Sequence, residues 1–236
     1  MSVLLNIETS TPVCSIALSA DGEVVFEKAS FDGPSHASLI GVYIDEALRA
    51  AKLKGLKIDA VAVSSGPGSY TGLRIGVSAA KGLCFGFGIP LIGIHTLDIL
   101  ASAAIRRHPE DGNVLYCSML DARRMEVYAG IYDSSMNVIR PTSADIIDAE
   151  SYTELLDRGR VCFFGDGAAK CKSVITSPNA KFIDDIYPLA AEMIPLAHKA
   201  FNEERFEDVA YFEPFYLKEF QATIAKNKVL NEVLHR

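Results

Sequence analysis

The chain has 236 residues and a formal net charge of −7, from 30 acidic against 23 basic side chains, and carries no block of like charges. With 49% apolar and 22% charged residues and no repeat or low-complexity tract, it is an ordinary folded protein rather than a fibrous, disordered or nucleic-acid-arm sequence. At this length about 70% of the unfolded surface is buried on folding, enough for one large or two small units without a metal or disulfide staple.

Short strand-like runs at Val3–Ile7, Val13–Leu18 and Glu23–Phe26 are separated by a Ser/Thr/Pro turn and by Asp21-Gly22, which predicts a three-strand antiparallel meander. Ser35 stands as an N-cap for a helix over His36–Lys52. A buried strand follows at Asp59–Ser65, then a glycine loop over Gly66–Gly72, a second helix over Leu73–Phe87 and a short strand at Leu91–Ile94. The second half repeats the pattern in outline: strands at Val114–Leu120, Met125–Tyr132 and Asn137–Ile139, a strand at Val161–Phe164, and helices near Ala149–Leu156 and Leu189–Phe201. A meander followed by alternating helices and strands is the opening of a ribonuclease-H-like lobe, the half-unit of actin, Hsp70 and sugar kinases. The expected fold is therefore α/β, two such lobes, with residues 1–103 as the first and 104–236 as a degenerate second whose tail can return to the first. The last ten residues are the stretch least expected to belong to it.

Five cysteines (Cys14, Cys84, Cys117, Cys162, Cys171) form no CxxC pair and sit in apolar runs, as in a reducing compartment. No charged leader precedes the first strand and no apolar stretch reaches the roughly 18 residues of a membrane span, so a cytoplasmic, non-membrane protein is expected. The basic groups Lys52-Lys54-Lys57 and Arg106-Arg107-His108 read as solvated faces.

Two constellations could carry chemistry. The turn Thr9-Ser10-Thr11 presents hydroxyls and amides that could donate to a phosphate, or could satisfy its own backbone as a polar hairpin; both readings stand. The string at 66–76, GPGSYTGLRIG, fits neither the dinucleotide fingerprint nor the Walker loop nor a serine elbow. Its glycines Gly66, Gly68 and Gly72 let the backbone approach something closely, and Ser69 or Thr71 caps the following helix, which Arg74 enters.

That string, followed by Ala80-Lys81-Gly82-Leu83, resembles the signature of the TsaB (YeaZ-type) family, with Tyr70 in place of the usual phenylalanine. Ile7–Thr11, Asp121–Tyr128 and Pro214–Lys218 agree in the same order, so the resemblance spans nearly the whole chain. It implies a non-catalytic scaffold in the biosynthesis of threonylcarbamoyladenosine in tRNA. The scaffold would dock onto a TsaD-type transferase, be joined by a TsaE-type ATPase, and meet tRNA only through the complex. The catalytic sibling family holds a metal through an HxxxH pair; here His36 is followed four residues later by Ile40, so no metal is expected, and His36 reads as a solvent-exposed helix start. Glu8 resembles the sibling, whereas Gly165-Asp166-Gly167 is at most a remnant of its second nucleotide loop. No cofactor is expected to be tightly bound, with room only for weak ATP or ADP binding. The competing functions are a kinase or transferase of the actin-like superfamily, which needs an acidic metal site and a second phosphate loop, and a metallopeptidase, which needs the absent ligand pair.

Both early helices are apolar around more than the roughly 100° stripe that a core requires, which fits either helices deep in a large domain or helices with a second face covered by a partner. The resemblance assigns that surplus to a partner interface comprising Leu39, Tyr43, Ala47, Ile75, Ala79, Leu83 and Phe87, shared with the transferase or with a second copy of the chain.

Overall fold

The computed structural model describes residues 1–33 and 35–218; the expectation for the last ten residues lies outside them. Among the described residues ten strands and six helices follow in the order β1 (Val3–Glu8), β2 (Cys14–Ala20), β3 (Glu23–Ser30), α1 (His36–Leu53), β4 (Ala60–Gly66), α2 (Tyr70–Phe87), β5 (Leu91–His95), α3 (Thr96–Arg107), β6 (Leu115–Asp121), β7 (Glu126–Tyr132), β8 (Val138–Ile146), α4 (Thr153–Leu156), β9 (Val161–Phe164), α5 (Ala168–Cys171), β10 (Ala180–Ile183) and α6 (Ala190–Asn202).

They build two five-stranded sheets of one topology. The first runs β3-β2-β1-β4-β5 and the second β8-β7-β6-β9-β10, each with an antiparallel meander at one end and two parallel strands at the other. This is the expected pair of ribonuclease-H-like units. The period-2 alternation of each strand sorts its side chains between two cores. Leu5, Ile7, Val61 and Val63 face α1 and α2, whereas Leu4, Ala60, Ala62 and Ile92 face Met193, Ala197 and Ala200 of α6. On the second sheet, Tyr116, Leu120, Cys162 and Phe164 pack on α3, while Cys117, Met119, Val161 and Phe163 pack with α4 and α5. Helix α3 thus lies between the sheets, with Ile99 in the core of the first and Leu97 and Leu100 in that of the second. A division at 103/104 falls within this helix, and α6, from the second half of the chain, packs on the first sheet.

Several elements differ from the sequence reading, each for a local reason. Helix α2 begins at Tyr70 instead of Leu73 because Ser69 Oγ accepts from the Gly72 amide at 3.2 Å, and it ends at Gly88 in the left-handed conformation. Ser35 does precede α1, but its hydroxyl donates to Gly33 O at 3.2 Å, so no side chain caps that helix. Helix α3 was not anticipated: it enters directly from β5 with no turn and no side-chain cap to mark its start. Strand β8 is nine residues long and tolerates Pro141 because it is an edge strand. Helix α4 shrinks to a single turn, and α5 and β10 were not anticipated. Arg106 and Arg107 are not simply solvated: both pair with the buried Glu192 of α6 and tie α3 to it.

Candidate docking face and ligand cleft

The turn after β1 and the loop after β4 meet at the carboxyl ends of the parallel strands, where open α/β sheets place their ligands. Here they meet each other. Thr9, Ser10 and Thr11 are buried, and the string at 66–76 closes over them. Ser69 donates its amide to Ser10 O at 2.6 Å, and Thr9 Oγ1 donates to Gly72 O at 2.8 Å. A Cβ at Gly68 would collide with Ser10, and one at Gly72 or Gly76 with Thr9. Gly68, Gly72 and Gly76 of the signature string therefore serve an intramolecular contact with the hydroxyl turn. Thr71 and Arg74 lie outside that contact, exposed on the first turns of α2.

The enclosed turn is rich in polar atoms without partners. Glu8 Oε2, Ser10 Oγ, Thr11 Oγ1, His36 Nδ1 and Ser64 Oγ are all buried and unpaired within the described residues. Glu8 accepts from the Ser10 amide, but burial dominates and pushes its carboxyl up to about 7; the nearby Ser10 and Ser64 hydroxyls soften the shift without reaching hydrogen-bond geometry. His36 is buried rather than solvent-exposed, and burial lowers its imidazole below the ordinary value. Its place at the start of α1 tucks it beside Thr11, which corrects the exposed reading. Among the described residues no group of three or more His, Cys, Asp or Glu side chains is arranged to hold a metal ion.

The corresponding place on the second sheet is built similarly. Gly165 follows β9 as Gly66 ends β4, both with positive φ, and a Cβ at Gly167 would lie 2.7 Å from the Leu120 carbonyl carbon. Asp166 accepts from the Asp121 amide at 2.9 Å, and burial raises its carboxyl. Gly165-Asp166-Gly167 is thus the positional counterpart of Gly66-Pro67-Gly68, closed onto the end of β6.

The outward face of α1 and α2 is mixed. Tyr43 is 8% exposed and Ala47 fully buried; both belong to the core beneath α1 and offer no surface to a partner. Leu39, Ile75, Ala79 and Leu83 are half-buried against the same core, and Phe87 is exposed. Part of the surplus apolar surface of α2 is covered from within, since Val209 and Phe212 pack on that core and Lys81 Nζ donates to Ala210 O and Phe212 O. What remains open is a stripe through Thr71, Arg74, Ser78, Gly82 and Phe85, with Ala37, Gly41 and Val42 on α1. Phe85 is 87% exposed. A groove of about 550 Å³ opens between the two helices, lined by Ala37, Ile40, Tyr70, Thr71, Arg74, Ile75 and Ser78.

A model of the family described as "TsaD: tRNA N6-adenosine threonylcarbamoyltransferase" matches residues 27–226. The tRNA threonylcarbamoyladenosine biosynthesis protein TsaB of Escherichia coli is 31% identical over 224 residues, which are 91% of this chain and 94% of that one. The protein of the same description from Haemophilus influenzae is 31% identical over 229 residues, 91% of this chain and 93% of its own. The chain belongs to the TsaB family. Its fold agrees: the structure of YeaZ from Pseudomonas aeruginosa superposes with a TM-score of 0.75 at 25% identity, covering 92% of this chain and all of that one. For this TsaB-family chain, sequence reasoning missed Phe85, Gly41, Gly82 and Gly86, which the structure leaves exposed on the two helices. The signal was present in the i, i+4 spacing of the small residues Ser78, Gly82 and Gly86 along one side of a helix.

Proposed function

We propose that this chain is a non-catalytic subunit in the biosynthesis of threonylcarbamoyladenosine in tRNA, a scaffold that docks through α1 and α2 onto a TsaD-type transferase. A TsaE-type ATPase joins the pair, tRNA is met through the complex, and the same helices can pair two copies of the chain. The observation that carries the reading is the set of exposed helix glycines. A Cβ at Gly41, Gly82 or Gly86 would meet nothing within 4 Å among the described residues, so none of these requires glycine there. Each glycine costs its helix about 1 kcal/mol relative to alanine. Such a cost is understandable where another helix approaches at the short end of the 8–10 Å interaxial range. Beside these glycines stands Phe85, an aromatic side chain of the kind that anchors interfaces.

The non-catalytic reading is supported by the closed hydroxyl turn and by Ile40 standing where a second metal-binding histidine would be needed. The charge of −7 supports contact with tRNA through partners. The test is to supply the gene to bacteria depleted of their own TsaB-type subunit and to quantify threonylcarbamoyladenosine in digested tRNA by mass spectrometry. Wild-type chain restores the modification only when the transferase is present, and Gly82→Leu, which fills the open stripe, does not restore it. Modification without the transferase would refute the scaffold reading.

A further inference from the structure

Beyond α6 the chain turns back along α2. Glu207 donates its amide to Leu91 O at 2.8 Å and forms an antiparallel bridge there, at the edge of the first sheet. Asp208 then closes a tight turn: its Oδ1 accepts from the Ala210 amide at 2.8 Å and the Tyr211 amide at 3.3 Å, and its carbonyl accepts from the Phe212 amide at 2.8 Å. Val209 and Phe212 pack on the core beneath α2, and Lys81 Nζ donates to the carbonyls of Ala210 and Phe212 at 3.1 and 3.0 Å. About three turns earlier on the same side of α2, Tyr70 lies against Tyr216 with ring centres 4.9 Å apart. Residues 207–216 therefore run antiparallel along one flank of the helix.

Two glycines make room for this path. A Cβ at Gly66 would lie 2.6 Å from Phe215 O, and one at Gly93 would lie 3.0 Å from both the Phe212 ring and the Glu207 carboxylate. The backbone of the segment is thus fixed, yet one large side chain points away from every anchor: Tyr211 is 84% exposed. It sits between the two carbonyls that Lys81 holds. Lys81 precedes Phe85 by four residues, one turn along the same side of α2, and Phe85 is 87% exposed. Two open aromatic rings therefore stand within about a turn of each other, one on a helix and one on a turn that the helix grips.

We propose that the segment 207–216 is the third element of the docking face, and that Tyr211 enters the transferase beside Phe85 as a second anchor. This inference rests on the docking reading and extends it from two helices to a surface that includes the chain's C-terminal segment. Continuity names the occupant: Tyr211 borders the open stripe of α2 on its Lys81 side, so a partner that covers Phe85 lies against Tyr211 as well. An aromatic side chain brings about 150–250 Å² to an interface. The pair would supply roughly a third or more of the 800 Å² or so that a standard interface takes from each partner. Because Asp208 and Lys81 already order the backbone that carries Tyr211, little further ordering is needed when the partner binds.

The test is hydroxyl-radical footprinting of the full-length wild-type chain, alone at a dilution where sedimentation shows a monomer and again with saturating TsaD-type transferase. Oxidation of Tyr211 and Phe85 is read by mass spectrometry. The expected result is that both rings become at least fivefold less reactive in the complex, and that folded, full-length Tyr211→Ala binds the transferase at least tenfold more weakly than wild type. Phe85 protected while Tyr211 stays as reactive as in the free chain, or wild-type affinity in Tyr211→Ala, would overturn the inference and leave the docking reading standing. Neither ring protected would overturn both. Protection of Tyr211 when the chain pairs with itself, but not with the transferase, would assign the ring to a second copy and likewise overturn the proposal. The footprint needs no variant, so it decides even if Tyr211→Ala does not fold.

Discussion

Glu8 shows how much of the site a single residue can govern. Its carboxyl is fully buried with one oxygen unpaired, and burial raises its pKa from 4.5 to about 7. Between those values the native chain holds a proton that the unfolded chain has released, so stability falls as pH rises from about 4.5 and the full penalty is present above about 7. The shift corresponds to a penalty on the order of 3 kcal/mol. Glu8→Gln keeps an acceptor for the Ser10 amide and removes the buried charge. It should raise stability by up to about that amount at pH 8 and change little at pH 4.5, as urea melts at the two values will show. His36 acts in the opposite sense: burial lowers its pKa, so it costs stability as pH falls through the ordinary imidazole range. Glu8 and the hydroxyl turn were legible as a polar constellation in the sequence. Their enclosure was not, because it depends on Gly68, Gly72 and Gly76 meeting Thr9 and Ser10 from the far side of β2, β3, α1 and β4.

At the scale of elements, α2 contains two kinds of glycine that should respond oppositely to the same change. Gly82 and Gly86 face open space, so alanine should stabilise the isolated chain by about 1 kcal/mol at Gly82, inside the helix, read as a rise in Tm of roughly 2–4 °C, and by less at Gly86 in the last turn. Gly76 faces Thr9 closely, and Gly76→Ala should destabilise by about 1–3 kcal/mol, because neither the helix nor the turn can yield freely. Thermal melts of the three variants separate the two kinds. Most strands were legible because they carry alternation or a buried apolar run bounded by turn residues, as at Val161–Phe164, where the reading and the structure coincide; β10 and most of the edge strand β8 were not. Helix α3 was not, because it follows β5 with no intervening turn and no side-chain cap to mark its start. Tyr43 and Ala47 were assigned to an interface for a related reason: apolar surplus on a helical wheel does not distinguish a partner from the chain's own core and C-terminal segment. Leu39 and Leu83 remain on the proposed docking face, but a charge at either would disturb packing as well as docking, which makes Phe85 the cleaner probe.

At the scale of the molecule, the repeated order of the two sheets joins the halves in one plan, yet the points at which an actin-like protein would work are closed. The turn after β1 lies under the loop after β4, and the loop after β9 lies on the end of β6. The family resemblance reached this far from sequence because its motifs fall at those closures and on α2. The path of Pro214–Lys218 across the strand ends became visible only in three dimensions. The purified chain is expected to contain less than one equivalent of divalent metal, since the side chain four residues after His36 is that of Ile40; elemental analysis checks this. Docking of α1 and α2 onto a TsaD-type transferase is best read by sedimentation of the two purified proteins, with wild-type chain and with Phe85→Glu. The wild-type chain is expected to form a stable complex, and the folded variant to bind at least tenfold more weakly, about 1.4 kcal/mol. Equal affinity of the two chains for the transferase, or no complex with either, would contradict it.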